Sequence, residues 1–283
     1  MDYKKIFFPI GGGEELEQRV QGALTIGKYF NCHLEILKSQ AKPGGIFNKM
    51  DESIPANMIG ELNAIAETRL NEELKKHKQL VKTEAEKLGI KISTKSIPGE
   101  ATAELIVGEG YRSKLIEQES KYCDLVIAAS PHDSRITATF EAVVIKSGKP
   151  VLMFPREMKT FSTDNILIGW NNSPEVSKAL LHSIPLLKRA KKVHLIYSKE
   201  YISSIEDIEK IQRYLRIHGV EISYEEIQTT KVPGQALLNN AIQGGFDLIV
   251  AGAFGHRGLK ELMLGGTTKY VLEHTDIPIF MAH

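Results

Sequence analysis

The stretch "FDLIVAGA" at residues 246–253 decides the fold, because the chain contains a close copy of it. The counterpart is "CDLVIAAS" at residues 123–130, and both read as a short apolar strand that follows an aspartate. Continuous apolar runs of this length are typical of strands that are buried on both faces of a parallel sheet. The pair therefore predicts a duplicated unit built around such a sheet.

The residues around these two strands repeat in the same order. The matching landmarks are "KIFFPIGGGEELEQ" (5–18) with "NILIGWNNSPEVSK" (165–178), "HLEIL" (33–37) with "VHLIY" (193–197), "LGIKIS" (88–93) with "HGVEIS" (218–223), "PGE" (98–100) with "PGQ" (233–235), and "KSGKPVLMF" (146–154) with "EHTDIPIFM" (273–281). Six landmarks in one order indicate an internal duplication. Each copy alternates strands with amphipathic helices, which predicts an α/β fold of two tandem Rossmann-like domains, each a five-stranded parallel sheet flanked by helices.

The domain boundary is predicted in the polar linker at residues 155–165, with one domain at 1–158 and the other at 159–283. The first copy holds about thirty extra residues between its second and third strands. The segment at 39–60, rich in Pro, Gly and polar residues, fits that insertion. It predicts an irregular flap or lid, with a partner-binding segment as the alternative.

Composition excludes several classes of protein. The 283 residues carry a net charge of +1, which gives no reason to expect nucleic acid or an anionic membrane as the main partner. The N-terminal apolar run is too short for a signal peptide or a membrane span. Cys32 and Cys123 are isolated, so we expect buried thiols in a reducing cytosol rather than a disulfide or a redox pair. The expected location is the cytoplasm.

The stretch "AGAFGHRGLKELMLGGTT" at residues 251–268 follows the last copy of the central strand. Its glycines Gly252, Gly255 and Gly265 have the spacing G-x2-G-x9-G, and Gly266 precedes a helix that starts with Thr267 and Thr268. Glycine lets the backbone approach an oxyanion, and a helix N-terminus offers free N–H groups and a positive dipole end. The loop also carries His256 as a titratable side chain. The alternative is that these glycines serve only tight turns and close packing of a helix on the sheet.

This spacing, the turn "IGWNNSPE" and the closing "DIPIFMAH" resemble the universal stress protein family, in the adenine nucleotide α-hydrolase superfamily. The resemblance covers both halves and implies a tandem protein that binds ATP, with or without Mg²⁺, in its C-terminal domain. It implies that Gly252 and Gly255 line the ribose and phosphates, that Gly265, Gly266 and Thr267 hold phosphates, and that the backbone at Ser198 contacts adenine. It also implies that "PVLMF" (150–154) and "PIFMA" (278–282) pair as an intrachain pseudo-dimer.

Two departures from the family pattern concern the nucleotide site. Asn171 stands where the family usually has an aspartate, and Gly266 stands where it usually has serine or threonine. An asparagine still forms hydrogen bonds with a hydroxyl but brings no charge. The first copy has lost the pattern, since Ala129 and His132 replace the first two glycines. We therefore expect one nucleotide per chain.

No sequence motif of a metalloprotease, a P-loop or a serine hydrolase is present, and the scattered histidines predict no metal site. Asp124 and Asp247 recur in both copies, so they are predicted to be structural rather than catalytic. Trp170 is expected in the core at a strand end, with stacking on adenine as the alternative. The leading hypothesis is a cytoplasmic stress-response protein that senses a nucleotide, with at most slow hydrolysis. The alternatives are a nucleotide-free module that binds protein partners, including a homodimer, and a small-molecule hydrolase or transferase.

Overall fold

The computed structural model describes residues 3–11, 13–40, 56–131, 137–202, 204–228, 233–253, 267–274 and 276–283. The strands are β1 (Lys5–Ile10), β2 (His33–Gln40), β3 (Lys91–Ile92), β4 (Thr102–Glu109), β5 (Leu125–Ala129), β6 (Val151–Phe154), β7 (Asn165–Trp170), β8 (Lys192–Tyr197), β9 (Ser223–Glu226), β10 (Leu248–Gly252) and β11 (Ile279–Ala282). The helices are α1 (Leu16–Phe30), α2 (Ala56–Lys87), α3 (Arg112–Glu119), α4 (Ala138–Glu141), α5 (Pro174–Leu187), α6 (Ile205–Ile217), α7 (Pro233–Gln243) and α8 (Thr267–His274). A single 3₁₀ turn follows α3, and a π-helical turn at Ala142–Lys146 continues α4.

The strands form one sheet in the order β3-β4-β2-β1-β5-β6-β11-β10-β7-β8-β9. Every neighbouring pair is parallel except β6 and β11, which run antiparallel with Leu152 opposite Phe280. The sheet is therefore two parallel sheets joined through their last strands. The predicted α/β class and the predicted pairing of 150–154 with 278–282 are both confirmed.

Helices cover both faces of the sheet, because the side chains of each strand alternate between two apolar cores. In β1, Ile6 and Phe8 enter one core and Phe7 enters the other. The first core lies under α1, α2, α5 and α6, and the second lies under α3, α4, α7 and α8. Both cores take residues from each half of the chain, so the two halves bury their apolar surface together.

Polar contacts add to this joining of the halves. The Tyr3 hydroxyl donates to the His182 carbonyl oxygen in α5 at 2.5 Å. Tyr29 and Thr163 share a hydrogen bond of 2.5 Å between their hydroxyl groups. The domain boundary between residues 158 and 159 stays a prediction, because these contacts join the two halves and do not show where one domain ends.

The two repeated aspartates have the same role in each half. Asp124 accepts hydrogen bonds from the backbone N–H groups of Lys4 and Lys5, at 2.8 and 3.0 Å. Asp247 accepts from the backbone N–H of Asn165 at 2.8 Å and from its Nδ2 at 3.0 Å. Each carboxylate thus ties the start of a central strand to the start of its neighbour, which is the structural role predicted from the repeat.

The third strand of the first half was assigned wrongly from sequence. The segment at 88–93 supplies only the two-residue edge strand β3, and the main third strand is β4, which pairs with β2 along its whole length. Thus "PGE" (98–100) precedes a strand, whereas "PGQ" (233–235) opens α7. The first half consequently has six strands instead of five. The sequence match compared short segments only. The third strand is instead determined by the hydrogen-bond ladder between β4 and β2.

The predicted insertion at residues 39–60 also differs from the expected flap in the residues that the structure describes. Residues 39 and 40 complete β2, and residues 56–60 begin α2, a helix of 32 residues, rather than an irregular flap. Residues 41–55 lie outside the described part. The charged segment at 67–87 forms the larger part of α2. None of the described helices combines the length and hydropathy that a membrane span needs.

Candidate functional site

Three predicted binding residues meet at one edge of the C-terminal half. Asn171 follows β7, Ser198 follows β8, and Gly252 is the last residue of β10. These strands are neighbours in the order β10-β7-β8, and their registers bring Gly169 beside both Ala251 and Ile196. From β7 the chain continues to β8 and β9 on one side of the sheet, whereas β10 and β11 lie on the other side of β7. The strand order therefore reverses between β7 and β10, which makes this edge a topological switch point. Ligands of open α/β sheets bind at such points.

Asn171 shapes the turn between β7 and α5. Its Oδ1 accepts a hydrogen bond from the backbone N–H of Ser173 at 3.3 Å. Ser173 is the N-cap of α5, and its hydroxyl oxygen accepts from the Val176 N–H at 3.2 Å. With Oδ1 committed to the turn, the amide Nδ2 is the part of Asn171 that has donors to offer a ligand.

Gly252 lies where the end of β10 meets the first turn of α5. A Cβ at this position would stand 2.7 Å from the Val176 backbone nitrogen and 3.1 Å from the Glu175 Cβ. Sequence reasoning placed Gly252 on the loop that leaves the strand, but it still pairs within the sheet, opposite Ala282. Close packing of a helix on the strand therefore requires this glycine, whatever else it contacts.

Ser198 is buried, with 4% of its surface exposed, at the end of β8. Its hydroxyl oxygen accepts from the Glu200 N–H at 3.3 Å, and its carbonyl oxygen accepts from the Tyr201 and Ile202 N–H groups at 3.1 Å each. Because the side chain is engaged in this turn, recognition of a ligand here would fall to the backbone. That is the role which the family resemblance implies for this position.

The glycine loop itself falls largely outside the described residues. This applies to Gly255, His256, Gly265 and Gly266. Thr267 and Thr268 are the first two residues of α8, as the motif predicts for a helix that starts directly after the loop. The structure thus brings Asn171, Ser198 and Gly252 to one edge. The other predicted residues stay predictions.

Two side chains at this edge have polar atoms that are buried without a hydrogen-bond partner in the described part of the chain. They are Nε1 of Trp170 and Oε2 of Glu175. Trp170 packs against the first core and lines a groove of about 380 Å³ with residues of α5 and α6, including Leu181 and Tyr214. Trp170 is thus half-buried at the border of the core, and its stacking on adenine stays a prediction. Sequence reasoning did not single out Glu175, although an acidic residue in the first turn of this helix was the available signal.

One group of described side chains elsewhere has the donors of a metal site. Ligand atoms of His33, Glu35 and Glu104 lie within 4.8 Å of one another on β2 and β4. However, Glu35 forms an ion pair with Lys5 at 2.8 Å, and His33 Nδ1 shares a hydrogen bond with Thr102 at 2.8 Å. Burial lowers the pKa of His33 more than Glu104 and Glu35 raise it. These contacts give the group a structural role at the start of the strands, away from the candidate edge.

Both cysteines are free and buried, as predicted. Burial raises the pKa of Cys32 to about 12, and it raises the pKa of Cys123 to about 12 as well. A thiolate is the reactive form of cysteine, so neither side chain is a nucleophile near neutral pH.

The comparisons with known proteins agree on one family. Residues 162–283 match the model of the Universal stress protein family. A universal stress protein of Synechocystis sp. is 23% identical over 153 residues, a match that spans half of this chain and half of that protein. A crystal structure of a universal stress protein from Archaeoglobus fulgidus aligns with a TM-score of 0.70 at 16% identity, over 98% of this chain and 97% of that chain. A functionally unknown protein from Pseudomonas aeruginosa PAO1 aligns with a TM-score of 0.50, also at 16% identity, over 98% and 92% of the two chains.

Proposed function

We propose that the chain is a member of the universal stress protein family, whose model matches residues 162–283, and that its C-terminal half binds ATP or another adenine nucleotide. Membership in the family supports a role in the stress response. The observation that carries the nucleotide proposal is the convergence of Asn171, Ser198 and Gly252 at the carboxyl ends of three neighbouring strands. In parallel sheets such an edge is where mononucleotides and dinucleotides bind.

The contacts of these residues fit a nucleotide. In this proposal the turn that begins at Ser198 would contact the adenine base through its backbone, since the Ser198 side chain is buried and engaged within the turn. Asn171 keeps its amide Nδ2 as a donor for a ribose hydroxyl. The close approach of β10 to α5 at Gly252 leads the chain directly into the glycine loop, where backbone N–H groups would hold the phosphates.

The same edge limits what chemistry would follow. The Cβ of Glu175 lies near Gly252, and its Oε2 has no hydrogen-bond partner among the described residues. In this proposal its carboxylate would meet a Mg²⁺ ion that accompanies the phosphates. Asn171 cannot act as a general base, since an amide does not titrate. We therefore propose that the nucleotide acts as a conformational ligand of a regulatory cytoplasmic protein, with hydrolysis slow at most.

Calorimetric titration with ATP and MgCl₂ tests the proposal. We expect one site per chain, and Gly265→Val should abolish binding because a branched side chain would block the phosphate loop. Gly60→Val in α2 is the matched control, because a Cβ at Gly60 meets nothing within 4 Å. Gly252→Ala is a poor probe, since it would disturb packing as well as binding. Tight ATP binding that survives Gly265→Val would refute the assignment of the site.

The alternative, a nucleotide-free module for protein partners, is favoured by the departures at Asn171 and Gly266. The pairing and exposure of the strands limit which surface such a module would use. The last strands β6 and β11 already pair within the chain, so a homodimer would need another surface. The outer strands β3 and β9 are short and exposed, and such edges are poor templates for a further strand. If millimolar ATP gave no rise in melting temperature, this alternative would be preferred.

A further inference from the structure

The N-terminal half has a cavity at the edge that corresponds to the candidate nucleotide site. The cavity has a volume of about 280 Å³ and lies at the carboxyl ends of β1, β5 and β6. Its lining includes three arginines, Arg19, Arg112 and Arg156, and no acidic residue among those that the structure describes. The glycine pattern that would cradle phosphates is lost in this half, but cationic side chains are present instead.

We propose that this cavity binds a small phosphate-bearing ligand and that Arg112 is the residue which contacts the phosphate oxygens. The site lies in the other half of the chain from the proposed nucleotide site and is independent of it. The argument rests on how the guanidinium of Arg112 is held, on its neighbours, and on the size of the cavity.

Arg112 is half-buried at the start of α3 and has no ionic partner among the residues that the structure describes. Its Nε donates to the Ser39 hydroxyl oxygen at 3.3 Å, and none of the carboxylates in the described ranges forms an ion pair with it. Burial lowers the pKa of Arg112, in agreement with the lack of a carboxylate partner among the described residues. A buried charge without a partner is costly, so an anionic ligand would relieve that cost.

Gly11 leaves the space into which the Arg112 guanidinium fits. A Cβ at Gly11, which follows β1, would stand 2.7 Å from Nη1 of Arg112 and 3.1 Å from Nη2. The Arg112 guanidinium therefore packs directly on the Gly11 backbone at the carboxyl end of β1. Its two outer nitrogens form the planar fork that binds phosphate oxygens in pairs.

Arg19 and Arg156 are held beside Arg112 by the first turn of α1. Arg156 forms an ion pair with Glu15 and donates to the Ser130 carbonyl oxygen at 3.2 Å. Arg19 donates to the Glu15 carbonyl oxygen at 3.3 Å. The pKa of Arg19 is lowered first by burial and next by the charge of Arg156, and Arg112 lowers it further, against the opposing effect of Glu15. Arg19 therefore lies within electrostatic reach of both Arg156 and Arg112.

The size and lining of the cavity select the class of ligand. A phosphate monoester carries about −1.5 to −2 charges near neutral pH and three acceptor oxygens, so it can engage more than one guanidinium. A volume of about 280 Å³ is below the usual range for drug-sized ligands, which favours a small ester or inorganic phosphate over a whole nucleotide. Apolar residues such as Phe140, Val143 and Met153 complete the lining and would pack on the organic part of an ester.

Calorimetric titration of the full-length Gly265→Val variant with inorganic phosphate and with glycerol 3-phosphate tests the proposal. This background removes the proposed nucleotide site, so the failure of one proposal does not imply the failure of the other. We expect one saturable site per chain. Tighter binding of the ester would identify a phosphorylated metabolite as the ligand, and equal binding of both probes would identify inorganic phosphate.

Two substitutions locate the site. Arg112→Gln should weaken binding about tenfold or more, which is the usual effect of losing a charge-assisted hydrogen bond. Gly11→Ala should also weaken binding, although it keeps all the charges, because the new Cβ displaces the Arg112 guanidinium. Arg216→Gln removes a guanidinium from an exposed ion pair in the other half, so it is the matched control and should leave binding unchanged.

Three results would overturn the proposal. They are no saturable binding of either probe, binding that is unchanged in Arg112→Gln, and tighter binding of a carboxylate such as citrate than of both phosphate probes. Circular dichroism of Arg112→Gln separates loss of the site from loss of the fold. We expect the melting temperature of this variant without ligand to be equal to or above that of the wild type, since the substitution removes a half-buried charge that has no carboxylate partner among the described residues.

Discussion

The antiparallel pair of β6 and β11 predicts that damage in one half destabilises the other. Leu152 in β6 is fully buried and stands opposite Phe280 of β11, and both belong to the same apolar core. We expect Leu152→Ala to lower the free energy of unfolding by about 2–5 kcal/mol, the range for truncating a buried leucine. Since domains are stable by only about 5–15 kcal/mol, this is a large fraction of the total.

The single tryptophan makes the effect measurable in the opposite half. Trp170 lies at the end of β7 and packs against the core that contains Leu152. Tryptophan fluorescence therefore reports the C-terminal half, whereas far-ultraviolet circular dichroism reports both halves. A loss of about 3 kcal/mol corresponds to a fall of roughly 6–12 °C in melting temperature. We expect both signals to shift together by that amount.

Leu62→Ala is the matched control, because the same substitution in α2 removes a side chain that is 36% exposed. It should change the free energy of unfolding by at most about 0.5 kcal/mol. The reasoning is refuted if Leu152→Ala leaves the Trp170 transition unchanged while circular dichroism shows a separate, earlier transition. In that case the two halves would unfold independently despite the shared sheet.

Three further predictions concern polar groups. Asp247→Ala should destabilise the fold by about 1–3 kcal/mol in urea denaturation, because it leaves partly buried donors without an acceptor. Asp124→Ala should act in the same direction but less, because its hydrogen bonds are exposed, and no effect in either variant would contradict the bracing role. Cys32 and Cys123 should resist a thiol reagent at pH 8 in the folded protein and react fully in guanidinium chloride, whereas rapid labelling of the native chain would count against their burial. Burial lowers the pKa of His33 in the folded state, so on acidification the imidazole is protonated first in the unfolded chain. The free energy of unfolding should therefore fall as the pH drops below about 6.5. His33→Gln should reduce this loss between pH 7.5 and 5.5, and an unchanged pH profile would refute the assignment.

Much of the fold could be read from the sequence because its signals are local. Apolar runs such as residues 246–253 mark strands, since a strand that is covered on both faces needs apolar side chains throughout. The same reading failed at Thr102–Glu109, where the stretch "TAELIVGE" becomes β4. This segment is a strand because β2 offers it a ladder eight residues long, and that partner lies more than sixty residues away in sequence.

The candidate site was likewise predicted from the sequence only in part. The family resemblance brought Asn171, Ser198 and Gly252 into one hypothesis, and their places at neighbouring strand ends follow from the order of the strands. Sequence reasoning gave close packing of a helix on the sheet as the alternative for these glycines. It did not identify α5 as the helix that requires Gly252, because Gly252 and Val176 lie seventy-six residues apart. Glu175 was missed for the same reason.

The sequence by itself determined the duplication, the α/β class, the burial of both cysteines and the pairing of the last strands through a family resemblance. Only the tertiary structure decided that Arg19, Arg112 and Arg156 line one cavity. These arginines come from three elements spread over most of the N-terminal half, and each has an ordinary sequence context. A chain pattern records which faces are apolar, whereas a binding site depends on which distant strand ends are brought together. That arrangement is fixed by the folded sheet.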